Sequence, residues 1–148
     1  MLKIASISDL IAKLKDISPK KLVVYIVLYF AFGMLMNAFG AWVEIAKFTF
    51  WWQVITCYIL YMIPVSILLN GYSFFTQYSY GLVAMGFLEF GGYALGTSYI
   101  YPNNILEQWF GPHTFALGMA LFFALYFPLG NMLVNRIYLL FFENIKKK

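Results

Sequence analysis

The sequence predicts an all-α membrane protein: a bundle of four transmembrane helices, preceded by an amphipathic interfacial helix, with both termini in the cytoplasm. Three observations predict it. The chain is 63% hydrophobic and only 11% charged, whereas soluble globular domains are roughly a quarter charged. Its apolar residues gather in four runs, each near the ~20 residues that cross a bilayer as helix. Of the 10 Lys and Arg, all but Lys47 lie before the first run or after the last, an orientation signal of the positive-inside kind.

Residues 1–19 form the interfacial element. Ile4, Ile7, Leu10, Ile11, Leu14 and Ile17 recur at steps of three and four, and Lys3, Asp9, Lys13, Lys15 and Asp16 fall between them. This pattern predicts an amphipathic helix that starts near Ser6 or Ser8, ends before Pro19 and lies on the lipid surface. The charged leader is long and the next apolar run exceeds a signal core, so no cleavable signal peptide is expected.

The bundle is expected over 20–142, with spans at about 22–46, 51–69, 80–101 and 114–134. Residues 143–148 are a basic cytoplasmic tail. Trp51 and Trp52 suit an interface belt. Pro64 should kink its helix and free a carbonyl, and a second kink is expected near Pro128. Between the third and fourth runs, Ile105, Leu106, Trp109 and Phe110 suggest a short helix lying flat on the membrane. An even number of spans with cations at both ends places both termini in the cytoplasm, in a membrane of the bacterial inner (plasma) type.

Charge and cysteine usage exclude several function classes. The net charge of +4 belongs to the chain ends, not to one basic face, so nucleic acid is not an expected partner. Cys57 is the single cysteine and His113 the single histidine. No zinc, iron–sulfur or haem-attachment spacing exists, and neither metal nor cofactor is expected. The expected partners are the lipid bilayer, a second copy or another membrane protein, and a lipophilic small molecule.

The candidate site residues are the polar ones inside the runs. Membrane helices associate through small residues and buried polar groups. In the first run Gly33, Asn37, Gly40 and Glu44 succeed one another at steps of four, three and four. In the third, Met85, Glu89, Gly92 and Gly96 repeat the same steps. Each set occupies one helix face, with Gly33, Gly40, Gly92 and Gly96 as candidate packing positions. Gln53, Cys57, Tyr61 and Pro64 line up similarly in the second run, and Asn131 and Asn135 lie one turn apart in the fourth.

Glu89 stands about nine residues from either end of its run, too deep for its carboxyl to reach water along the lipid face. It is expected to be neutral, hydrogen-bonded or beside a cavity. One reading makes it a proton-carrying or ligand-binding group. The other makes it a structural tie to Asn37, Gln53 or Tyr61. Glu44 sits near Lys47 at the outer interface, where an ion pair is expected. His113 lies in the outer loop as a helix cap or an acid/base group.

These residues support two functions. The first is a small bundle that binds, passes or senses an ion or lipophilic molecule, as an oligomer or an accessory subunit, with Glu89, Asn37, Gln53, Tyr61 and Asn131 as its polar interior. The second is an intramembrane enzyme acting on an isoprenoid, quinone or lipid, with Glu89 as general acid and Glu44 or His113 as its partner.

Overall fold

The computed structural model describes residues 6–112 and 114–143. The chain is largely helical, and two stretches, Pro19–Trp42 and Phe115–Glu143, are long and apolar enough to cross a membrane. Helix α1, Ile7–Lys15, opens on a capping box. Ser6 Oγ accepts from the Asp9 amide at 3.3 Å, and the Asp9 carboxylate accepts from the Ser6 amide at 3.1 Å. Helix α2, Pro19–Trp42, starts on Ser18 as N-cap with Pro19 in its first turn, where a missing N–H does no harm. It ends four residues before the expected boundary at 46. Glu44 takes the left-handed conformation (φ +54°) and turns the chain back.

Beyond that turn the chain enters a strand, which the all-α expectation did not include. β1, Ala46–Phe48, pairs antiparallel with β2, Ser98–Ile100, with Lys47 opposite Tyr99. Two residues of α2 hold β1 in place. Asn37 Oδ1 accepts from the Phe48 amide at 2.8 Å, and Gly40 leaves room for the Ala46 carbonyl, which a Cβ would strike.

Helix α3 spans Ile55–Leu69, π-wound over Ile55–Met62 and α-helical from Ile63. Pro64 accounts for this winding. Its ring collides with the carbonyl four residues back in an α-helix, and a wider coil before it relieves the collision. Helix α4, Phe74–Leu95, is capped by Ser73 and ended by Gly96 in the left-handed conformation (φ +63°). It therefore begins and ends earlier than the expected 80–101. Asn104 caps the short α5, Ile105–Phe110, through bonds from the Leu106 and Glu107 amides at 3.0 Å. Helices α6, Phe115–Phe123, and α7, Tyr126–Tyr138, are separated by a break at 124–125, and π-turns carry α7 on through Leu139–Glu143. The break lies four residues before Pro128, whose absent N–H would have bonded Ala124.

Helices α2, α3, α4 and the α6–α7 column alternate in direction. At one end Lys20 and Lys21 lie over the rings of Phe142 and Tyr138, at 5.6 and 6.0 Å, so the start of α2 meets the end of the chain's last helix. At the other end stand β1, β2 and α5. Close approach occurs at three glycines. A Cβ at Gly33 would strike Val54 and Tyr58, one at Gly81 the Phe127 ring, and one at Gly130 the Tyr29 ring.

Asn131 joins four helices. Its side chain is 1% exposed, accepts from the Tyr25 hydroxyl at 2.5 Å, and donates to the Ser66 carbonyl at 2.9 Å and to Gln77 Oε1 at 2.7 Å. Tyr29, one turn after Tyr25, pairs with the Ser66 hydroxyl and donates to the Tyr126 carbonyl at 2.9 Å. Tyr78 donates to the Leu121 carbonyl beside the α6–α7 break, at 2.9 Å. Lys13 Nζ closes the end of α3 by donating to the carbonyls of Leu68 and Asn70, at 2.9 and 2.6 Å. Burial pushes the pKa of this ammonium down from the usual lysine value. With Leu14 and Ile17 packed on the core, α1 docks on the bundle, and Ile7 and Ile11 remain exposed.

Asn131→Ala should lower unfolding stability by about 2 kcal/mol, since Tyr25, Gln77 and the Ser66 carbonyl lose a partner together. Gly86→Ala, where nothing lies within 4 Å of a new Cβ, should raise it by about 0.5–1 kcal/mol. Denaturant unfolding of both variants in one detergent checks the pair.

Candidate functional site

At the β1–β2 end the bundle opens into a cavity of about 290 Å³. Helix α2 supplies Asn37 and Gly40 to its wall, α3 supplies Cys57, Tyr58 and Met62, and α6 supplies Phe115, Met119 and Phe122. Helix α4 contributes Met85, Glu89, Gly92 and Gly96, the whole stripe at steps of four, three and four. Lys47 and Ser98 of the paired strands form part of the rim. Asn37 and Gly40 of the α2 stripe and the whole α4 stripe thus face one space, which Gly33 and Glu44 do not line.

That space is apolar apart from a few groups, and two of those are engaged. Asn37 holds the Phe48 amide. Lys47 places its ammonium over the rings of Tyr99 and Tyr101, at 5.5 and 5.6 Å. Glu89 is different. It is half-buried, and among the described residues no side chain hydrogen-bonds or ion-pairs with it. Yet among those same residues no buried side-chain oxygen lacks a partner. Both facts are met if the carboxyl oxygens open onto the cavity.

The side chains expected to tie Glu89 bond elsewhere. Gln53 accepts from the Phe50 amide at 2.8 Å and donates to the Thr97 carbonyl at 2.5 Å, joining the start of α3 to the end of α4. Tyr61 donates to the Ala84 carbonyl at 2.6 Å. Asn131 belongs to the buried network of the opposite half. Beside it, Asn70, Gln77, Asn131 and Asn135 line a second, more polar cavity of about 280 Å³. Glu44 is exposed on the turn after α2 and does not line the first cavity. His113 lies outside the described residues.

Of the glycines, Gly33 and Gly40 make the close contacts given above. Gly92 meets only Thr97 Oγ1 of its own helix end, and Gly96 serves as the cap of α4. Their missing side chains leave cavity space instead of bringing helices together. Sequence reasoning missed the methionines. Met36, Met62, Met85 and Met119 all line the cavity, and such flexible, polarisable side chains adapt to ligands of varied shape. Their signal was present, since Met85 opens the Glu89 stripe.

No group of three or more metal-ligating side chains occurs among the described residues. The arrangement can take up an apolar molecule and set one polar group of it against Glu89. No protein-family model, curated protein or solved structure matches this chain.

Because Glu89 ties no helices together, both Glu89→Gln and Glu89→Leu should fold. Their unfolding midpoints in detergent should match or exceed that of the native chain. A structural tie would show itself as a loss of about 1–3 kcal/mol in the leucine variant alone.

Proposed function

We propose that this chain is a multi-pass protein of a plasma membrane, with its four helical columns spanning the bilayer and both ends of the chain on the cytoplasmic face. In this reading it binds a lipophilic molecule in the cavity and holds one polar group of that molecule at Glu89. The observation that carries the proposal is a carboxyl with no partner among the described residues, inside an apolar cavity of ligand size, pockets for small molecules starting near 300 Å³.

The exterior supports the membrane part. Val27, Phe30 and Leu35 on α2, Leu60 on α3, Val83 and Phe87 on α4, and Leu133 and Leu140 at the chain's last helix are all exposed. An apolar surface on every column is costly in water and suited to lipid. Topology rests on charge. Lys13, Lys20, Lys21 and Arg136 belong to one end of the bundle, while Lys47 stands alone at the other. The end with more cations faces the cytoplasm under the positive-inside rule.

The alternative is an enzyme using Glu89 as general acid; of the two partners expected for it, Glu44 stands outside the cavity and His113 lies outside the described residues.

The single thiol gives a direct test, because Cys57 is part of the cavity wall. Pyrene, a neutral lipophile, should slow modification of Cys57 by N-phenylmaleimide several-fold in detergent-solubilised protein. Unchanged modification at saturating pyrene would overturn the binding reading. For topology, a reporter fused after Lys148 should read cytoplasmic, and a periplasmic reading would overturn that part.

A further inference from the structure

Resting on the reading of the cavity as a ligand site, we propose that its ligand class is a lipophilic organic cation, bound at Glu89 in exchange for the carboxyl proton. Three features point to it.

The first is the missing counter-charge. Glu89 has no hydrogen-bond or ion-pair partner among the described residues. In apolar surroundings an isolated carboxylate is strongly disfavoured, so the empty cavity holds the neutral acid. A ligand bearing a positive charge supplies the counter-ion that the protein does not.

The second is the nature of the walls. Aromatic side chains surround the space from several directions, with Phe48 from β1, Tyr58 from α3, Tyr93 from α4, and Phe115 and Phe122 from α6. Ring faces attract cations, and alkylated ammonium groups above all, because such ions shed little hydration on entry. The same faces, together with Glu89, disfavour an anionic ligand.

The third is that Glu89 is the one acid among the described residues that line the space, which fixes where a cation would sit. Asn37 Oδ1 is taken by the Phe48 amide, and Lys47 engages Tyr99 and Tyr101 at the rim. The other titratable groups facing the space are Cys57 and Tyr58 on α3 and Tyr93 on α4. No second carboxylate among the described residues lines it.

Binding then exchanges charges without forming or breaking any covalent bond except that of the acid proton. The neutral Glu89 acid plus the cation gives a carboxylate–cation pair and one proton released to solvent. Acidic solution therefore opposes binding, and alkaline solution favours it.

The experiment compares benzyltrimethylammonium with its neutral carbon isostere, neopentylbenzene, on native protein in an uncharged detergent. Affinity is read by protection of Cys57, and proton release by an indicator dye in weakly buffered solution. The cation should bind more tightly than the isostere, release up to one proton per chain, and weaken as the pH is lowered. Glu89→Gln should cost the cation at least about tenfold in affinity and abolish proton release. The same substitution should change the affinity for the uncharged pyrene and neopentylbenzene far less than that for the cation. Glu89→Asp, which keeps the carboxyl, should retain both cation binding and release.

The inference is overturned if the cation binds no better than the isostere, or binds Glu89→Gln as well as the native chain. If pyrene still protects Cys57 in that case, the cavity remains a lipophile site and only the cation assignment fails. If neither pyrene nor the cation protects, the binding reading falls with it.

Discussion

Broken helices leave carbonyls that something must satisfy, and that requirement organises this molecule. A buried C=O without a donor is expensive in any protein interior, and more so where lipid replaces water. The ends of α3 and α6 leave carbonyls without an in-helix donor. Side chains from distant parts of the chain answer them: Asn131 reaches the Ser66 carbonyl, Tyr78 that of Leu121, and Lys13 those of Leu68 and Asn70. Tyr29 and Tyr61 add bonds to the Tyr126 and Ala84 carbonyls inside α7 and α4. Each bond crosses from one helix to another. The same bonds that satisfy the backbone therefore set which helices are neighbours.

This allocation of donors is also what leaves Glu89 free. Asn37, Gln53 and Tyr61 are the polar side chains expected to tie it, and each is committed to backbone atoms: the Phe48 amide, the Phe50 amide and Thr97 carbonyl, and the Ala84 carbonyl. The half of the bundle around Asn131 is packed and cross-linked by hydrogen bonds. The half toward β1 and β2, braced by Asn37 and Gln53, holds a cavity walled by methionine, aromatic rings and glycine. The Asn131 network and the candidate functional carboxyl thus occupy different halves of one small bundle.

Much of this was legible in the residues. The stripe of Met85, Glu89, Gly92 and Gly96 faces one space because steps of four, three and four stay on one face of a helix. Asn37 and Gly40 share that space for the same reason. The capping chemistry of Ser6 with Asp9 marks the start of α1, and the break before Pro128 follows from its missing N–H. Other features depend on contacts that periodicity does not encode. Pairing of Ala46–Phe48 with Ser98–Ile100 joins segments about fifty residues apart, and each strand is too short to show alternation. Helix α4 begins at Phe74, inside a stretch whose Asn, Gly, Tyr and Ser read as a loop, because Ser73 caps it. Nothing in their spacing sets Tyr25 and Tyr29 apart from the chain's other aromatics, and only the position of Asn131 and Ser66 opposite them reveals their bonds. Gly92 and Gly96 looked like packing sites, yet a glycine stripe does not say whether a helix or a void lies beside it.

The central claim is that Glu89 is a neutral carboxyl with no partner among the described residues, facing an apolar space. Infrared difference spectroscopy of the native chain against Glu89→Gln, in lipid and without added ligand, tests it most directly. The account predicts a carboxylic acid C=O stretch at the high frequency of an acid free of hydrogen bonds, present only in the native chain. Carboxylate bands in its place, or an acid band shifted down by a strong hydrogen bond, would contradict it.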